Sequence, residues 1–414
     1  MVIAVACIVK ICLAVLKPGF TDFENIVHGA SFTETTLYFK GPYTFTIYLE
    51  NVFYRLWLWL PIIHQDPQQV ILSGRPADFN SFITIFIFKL PIILFDLLTG
   101  AVVYKIVGHV SQRPRLALSA FALWLFNPYI TLLLEWDGTW DIFSTFFLVT
   151  SWWAFLKNRK LVSGVFLALS IIARFYAIVL LPFFLIISIR RRRFKNAFTF
   201  LAGLSSTLLI TLTPFILTDG FSIFEMVRGF LVGGNREFSW FFGHLASPAV
   251  PPEASISIVF SVYFIALVLA AKYWRLDHGI LLYGVLITLI AYLAFSHWNR
   301  YYSTWVLPFI TVDYVLNRKR VKSLNYSLLF ALFFIGLYMF TARWTFPYKE
   351  IASILPPNLG KIFIDFWIPF GSVVGFRTYL LETFGRSLLV AISIIYVVYF
   401  SLRSLTRSVM AKID

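Results

Sequence analysis

Four groupings of residues in this chain could do chemistry. Thr21-Asp22-Phe23-Glu24 follows the first apolar run and sets two carboxylates two residues apart at the edge of a membrane. A carboxylate there can take a proton from a hydroxyl attacking an activated donor, while its neighbour orients the acceptor or a metal. Asp22 equally suits the N-cap of the stretch that follows it. Glu135-Trp136-Asp137-Gly138-Thr139-Trp140-Asp141 then puts three acids and two tryptophans into one short connection. Carboxylates so close repel one another unless a cation or a hydrogen-bonding ligand sits among them. Interfacial tryptophans and a helix-capping Asp141 are the structural alternative. Arg174, in Ala173-Arg174-Phe175-Tyr176, has no other charge within ten positions on either side. A charge at membrane depth costs about 2.5–3.5 kcal/mol, which makes Arg174 a functional candidate with a phosphate as its natural partner. Arg300-Tyr301-Tyr302 repeats the theme at a span end: arginine suits bidentate phosphate contacts, and tyrosine stacks on or donates to a sugar. Snorkelling of Arg300 to the interface is the plainer reading.

The elements that must position these residues follow from composition. Of 414 residues, 59% are hydrophobic and 13% charged, with a mean hydropathy of +0.80. A soluble domain carries about 25% charged residues, so the chain reads as a membrane protein. Its net charge of +15 then reports topology and not nucleic-acid binding. Runs long enough for a bilayer fall at 1–17, 81–108, 115–134, 140–156, 161–173, 174–189, 197–217, 254–274, 278–297, 301–317, 324–344 and 383–402. The pair 161–173 and 174–189 is short for two crossings and reads as bent or re-entrant, tolerated where the broken backbone is buried or lines a cavity. The first run lacks a basic n-region and a cleavage site and reads as an uncleaved span. The expected fold class is an all-α polytopic membrane protein of about twelve transmembrane or re-entrant helices, one integral domain over 1–414. Extracytoplasmic loops are expected at 18–80, 219–253 and 345–382. Residues 23–32 read as an interfacial amphipathic helix in the first loop.

With this count, 19 of the 35 basic residues lie on one face, which the positive-inside rule makes cytoplasmic, and 16 of the 20 acids lie on the other. The chemistry is therefore expected outside. Lys89 and Asp96 sit seven apart on one face of a span and read as an ion pair within the bundle. His28 and His64 have no second histidine at ligand spacing, and no HExxH, P-loop or G-x-G-x-x-G is present. Cys7 and Cys12 support neither a disulfide framework nor a thiolate metal site.

Several landmarks, taken in order, are similar to one family. Thr21-Asp22-Phe23-Glu24, a short helix and Gly41-Pro42-Tyr43 come first. Phe88-Lys89, Phe95-Asp96-Leu97-Leu98-Thr99, Phe126-Asn127-Pro128, Gly138-x-x-Asp141, Arg174-x-Tyr176 and Arg300-Tyr301-Tyr302 follow. Together they resemble the catalytic subunit of GPI mannosyltransferase I and its prokaryotic relatives, over residues 18 to about 310. The resemblance implies a GT-C fold and transfer of a sugar, mannose by the family's default, from a polyprenyl or dolichyl phosphate to a lipid-linked or glycan acceptor. It carries Asp22 and Glu24 over as catalytic acids. Arg174, Tyr176, Arg300, Tyr301 and Tyr302 become donor-binding residues, and Glu135, Asp137 and Asp141 an acceptor or second acidic cluster. Glu24 stands where the family has Asp, Arg174 where it has Lys, and Ala177 where it has Pro, which leaves divalent-metal use open. The implied partners are the donor, the acceptor, membrane lipids and an accessory membrane subunit. The implied location is the plasma membrane of a prokaryote or the endoplasmic reticulum of a eukaryote. A transporter or flippase for a lipid-linked or small polar substrate, which also uses intramembrane charges, and a noncatalytic scaffold are the competing classes.

Overall fold

An apolar run with no water to bond its backbone closes its hydrogen bonds locally, and every regular element among the described residues is helical. The structure, a computed structural model, describes residues 2–16, 49, 51–55, 58–59, 79–190, 194–232, 258–273, 277–295, 300–318, 326–345, 358–359, 361–362 and 383–399. The interfacial helix expected at 23–32, the acidic motif at Asp22 and Glu24 and nearly all of the loop at 345–382 lie outside the described residues.

Helices α1 (Val2–Leu16), α2 (Phe79–Ser111) and α3 (Pro114–Leu125) open the bundle. The short α4 (Pro128–Thr131) runs straight into a π-helical turn, Leu132–Trp136. Next come α5 (Asp141–Leu156) and α6 (Lys160–Ala173), then a 3-10 segment (Phe175–Leu180) leading into α7 (Leu181–Arg190). The remainder is α8 (Phe194–Val232), α9 (Ile258–Tyr273), α10 (Asp277–Phe295), a 3-10 turn (Arg300–Trp305), α11 (Leu307–Asn317), α12 (Tyr326–Thr345) and α13 (Thr383–Tyr399).

Asn80–Ser111 and Phe194–Pro214 are long and apolar enough to cross a membrane. The pair Pro114–Leu125 and Pro128–Trp136, bent by 41°, makes a third if taken as one broken span. The other apolar helices among the described residues contribute stretches of 10–17 residues, such as Leu281–Ala294 and Tyr326–Met339, so length and composition do not support the expected count of about twelve spans. The bend has a local cause. Asn127 accepts from the backbone N–H groups of Tyr129 (2.9 Å) and Ile130 (3.3 Å), capping a new helix that begins on Pro128. The expected break at Arg174 is present: its backbone is extended (φ −156°, ψ 119°) between α6 and the 3-10 segment. Helix α8 continues through Val232, so residues 219–232 are helical and not the start of an outer loop.

Two features fix α5 and α6 side by side. Ser144 and Ser151 are seven residues apart on α5, as are Ser163 and Ser170 on α6. They clasp in antiparallel register, with Ser144 Oγ to Ser170 O at 3.0 Å, Ser170 Oγ to Ser144 O at 2.8 Å, Ser151 Oγ to Ser163 O at 2.8 Å and Ser163 Oγ to Ser151 O at 2.9 Å. On the other side of α6, glycines let α8 approach to backbone contact. A Cβ on Gly164 would lie 2.0 Å from the Phe200 carbonyl oxygen, and one on Gly203 would lie 2.2 Å from that of Leu161. The clasps are redundant with this packing, so their energetic weight is small. Ser144→Ala combined with Ser170→Ala should cost about 0.6 kcal/mol per hydrogen bond in a double-mutant cycle read by detergent unfolding.

Near the other end of the bundle a buried carboxylate fastens the last helix. Asp313 on α11 accepts from Tyr396 Oη of α13 at 2.7 Å and from Asn317 Nδ2 at 2.7 Å, and the same amide reaches Tyr283 Oη of α10 at 3.2 Å.

Candidate functional site

The α5–α6 register sets up the first half of the site. The serine clasps pair 151 with 163 and 144 with 170, and the next step along the same seam pairs Asp141 with Arg174. Arg174 Nε lies 2.7 Å from Asp141 Oδ1, and Nη2 lies 3.3 Å from Oδ2, a two-point contact that fits the guanidinium fork. Asp141 occupies the first turn of α5 and Arg174 follows the last residue of α6. The partial positive end of one helix dipole therefore meets the carboxylate, and the partial negative end of the other meets the guanidinium. Trp305 Nε1 (3.2 Å, to Oδ1) and Thr139 Oγ1 (3.3 Å, to Oδ2) also donate to the Asp141 carboxylate. Arg174 retains 8% of its accessible surface and Asp141 none.

Trp305 joins this pair to an aromatic stack. Tyr176 lies parallel to it at 3.5 Å between ring centroids and 7°, and Tyr302 at 4.4 Å and 18°. Tyr292 of α10 lies 5.9 Å from the same indole at 22°. Ser303, in the same 3-10 turn, shares a 3.1 Å hydrogen bond with Tyr129. Of the sequence-selected residues, Tyr176, Tyr302 and Asp141 thus meet around one tryptophan that the sequence reading passed over. Tyr301 is buried beside them in the chain, and the side chain of Arg300 lies outside the described residues.

The second half of the site hangs on the other end of the 135–141 connection. Lys10 of α1 lies 2.8 Å from Asp96 Oδ2 of α2 and 3.1 Å from Glu135 Oε1. Asp96 Oδ1 accepts from Trp124 Nε1 at 2.8 Å. That indole can lie across α2 because Gly100, one turn further on, has no Cβ: one placed there would meet Trp124 Cδ1 at 2.9 Å. Lys89 Nζ donates to the main-chain carbonyls of Glu135 (2.7 Å) and Trp136 (3.0 Å). The ammonium thereby satisfies carbonyl groups at the end of the π turn, where the helical ladder runs out.

One expectation is corrected by this geometry. Lys89 and Asp96 do not pair with each other; Asp96 pairs with Lys10 across an interface, and Lys89 caps a backbone turn. The 135–141 connection lies inside the bundle. Glu135, Asp137 and Asp141 are all buried, and Gly138 turns the chain between them at φ 75°. The cation that such close carboxylates require is supplied by the chain itself, Lys10 for Glu135 and Arg174 for Asp141. Lys10 was legible by the same rule that singles out Arg174, since it is the one charge in VIAVACIVKICLAVL. Among the described residues no three His, Cys, Asp or Glu side chains converge to hold a metal ion. Two buried ion clusters at either end of one turn, Lys10 with Asp96 and Glu135 and Arg174 with Asp141, fasten α1, α2, α5 and α6 together beside an aromatic stack.

No curated protein sequence matches the chain. A family model does, and it overturns the sugar-transfer reading. The landmarks from Phe88 to Tyr176 that resemble a mannosyltransferase lie inside the matched stretch, and the family described there is a subunit of a transamidase, not an enzyme using dolichyl phosphate mannose. Over residues 61–232, less than half of its length, the chain is similar to the GPI transamidase subunit PIG-U.

Proposed function

We propose that this chain is a membrane subunit of an assembly that carries out transamidation onto a glycolipid of the GPI kind, and that it serves there as a helical frame. The observation that carries this reading is the similarity over 61–232, because that stretch supplies α2 through α8 and all of both ion clusters except Lys10. The charge geometry supports it. Among the described residues Arg174 pairs with Asp141, and Lys10 with Asp96 and Glu135, each pair tying one helix to another as a frame requires. The chain would cross the bilayer several times, with its shorter apolar helices joined into broken spans at the Asn127-Pro128 and Arg174 breaks. In a eukaryotic host it would reside in the endoplasmic reticulum membrane.

The test is purification of the tagged full-length chain from its native membranes in mild detergent. Other membrane polypeptides should co-purify at fixed stoichiometry, and depletion of the chain should lower attachment of a glycolipid-anchored reporter protein. A 47.8 kDa chain that elutes alone, with reporter anchoring undiminished on depletion, would falsify the reading.

A further inference from the structure

At the far end of the α5–α6 seam from Asp141 and Arg174, three connections bring basic residues together. Arg113 and Arg115 lie where α2 turns into α3, Lys157, Arg159 and Lys160 where α5 turns into α6, and Lys195 in the first turn of α8. All are exposed except Lys160, which is half-buried. Gln112 and Asn158 reverse the chain in the first two connections with left-handed backbone, at φ 54° and 61°. Side chains hold these connections side by side. The Lys157 ammonium donates to His109 Nδ1 of α2 at 3.3 Å and lies 4.9 Å over the Trp153 ring, which meets His109 edge-on. Phe155, at the end of α5, packs on Phe184 of α7 (5.1 Å) and Phe200 of α8 (6.2 Å), which brings the start of α8 to the same end. Neither 97–134 nor 142–218, the stretches that build this end, contains an Asp or Glu, and neither α3 nor α6 has a side-chain cap. Asp313 of the adjoining α11 is buried on Tyr396 and Asn317.

We propose that this basic end binds the headgroups of anionic phospholipids. Its depth follows from the two stretches long and apolar enough to cross a membrane, Asn80–Ser111 and Phe194–Pro214, which end here at Ser111 and Phe194 and set the patch at a membrane surface. Orientation of the spans depends on how many Lys and Arg each connection holds, and not on whether the connections meet. The fold nonetheless gathers six cations from acid-free stretches, and such a cluster at a membrane surface attracts anionic headgroups. Exposed apolar residues accompany the charges: Leu118, Leu161 and Phe198 lie in the first two turns of α3, α6 and α8. An amphiphile meets both features, with its phosphate on the basic side chains and its acyl chains on these residues. A soluble acidic protein would match the charge and leave the apolar residues uncovered. The proposal is independent of the transamidase reading.

The experiment uses the full-length protein in vesicles of phosphatidylcholine with a minor share of phosphatidylserine. One lipid or the other carries a photoreactive diazirine close to its headgroup, and adducts are mapped by peptide mass spectrometry. On residues 111–118, 157–162 and 194–198 the phosphatidylserine probe should give several-fold more adducts than an equal amount of the phosphatidylcholine probe. High salt should lower that excess several-fold in the parent protein, because exposed charges are screened. Arg113→Gln combined with Lys157→Gln and Arg159→Gln should remove most of the excess while the phosphatidylcholine signal, which reports the fold, stays constant. Arg55→Gln removes an exposed charge near the other end of α2, where Tyr54 packs on Phe88, and should leave the excess intact. Equal labelling by the two probes, an excess indifferent to salt or to the triple variant, or an excess lost equally in Arg55→Gln overturns the proposal.

Discussion

Arg174→Met should cost roughly 3–5 kcal/mol of stability, because it leaves the Asp141 carboxylate buried without its cation. Asp141→Asn should cost a similar amount by stranding the guanidinium. The Trp305 and Thr139 donors would remain on residue 141, but neither supplies charge. Arg174→Met combined with Asp141→Leu should recover most of the loss, since replacing both members of a buried pair by apolar groups is often neutral. The measurement is equilibrium unfolding of the detergent-solubilised chain, with the coupling energy taken from the four-member cycle. Single variants that fold as well as the parent would show that the pair is not structural.

Gly203→Val should be nearly as damaging, for a steric reason. The Cβ alone would sit 2.2 Å from the Leu161 carbonyl oxygen, and the obstacle is helix backbone, which cannot swing aside as a side chain can. Helices α6 and α8 must separate, and Gly164 meets Phe200 across the same crossing. Overpacking costs typically 1–3 kcal/mol, and a backbone obstacle places this variant at about 3 kcal/mol. Because α6 carries Ser163, Ser170 and the segment leading to Arg174, the ion pair should loosen with it. Gly108→Ala is the control, since its Cβ would meet Ala117 Cβ at an ordinary 3.5 Å. The fraction of monodisperse protein and the melting temperature should fall for Gly203→Val and Gly164→Val and stay level for Gly108→Ala.

These two variants also bear on function. In the frame reading, the conspicuous charges hold helices, so their loss should lower the yield of the assembly in proportion to the loss of fold. In the superseded sugar-transfer reading, the same residues would have touched a donor, and their loss would have spared the fold. The chemistry-bearing residue types are the same in both cases. The frame reading accords with Asp141, Glu135 and Asp96 each meeting a cation of their own chain.

A helical membrane chain, a backbone break at Arg174 and the need of an isolated charge in an apolar run for a partner are all legible in the residues and their order. Each of these is a local matter: a residue in hydrocarbon pays for an unbonded backbone or an unpaired charge wherever the rest of the chain goes. The seven-residue spacings of Ser144 with Ser151 and Ser163 with Ser170 carried the α5–α6 register as well, had they been read as facing seams. Which group partners which is fixed by the packing of the helices. Lys89 and Asp96 share a face of one helix, yet Asp96 takes the ammonium of Lys10 across an interface and Lys89 takes two carbonyls of a turn 46 and 47 residues away. Trp305 reaches Asp141 from 164 residues along the chain. Such pairings follow from how helices cross and how closely glycines let them approach, and spacing along a single helix does not encode the distance to its neighbour.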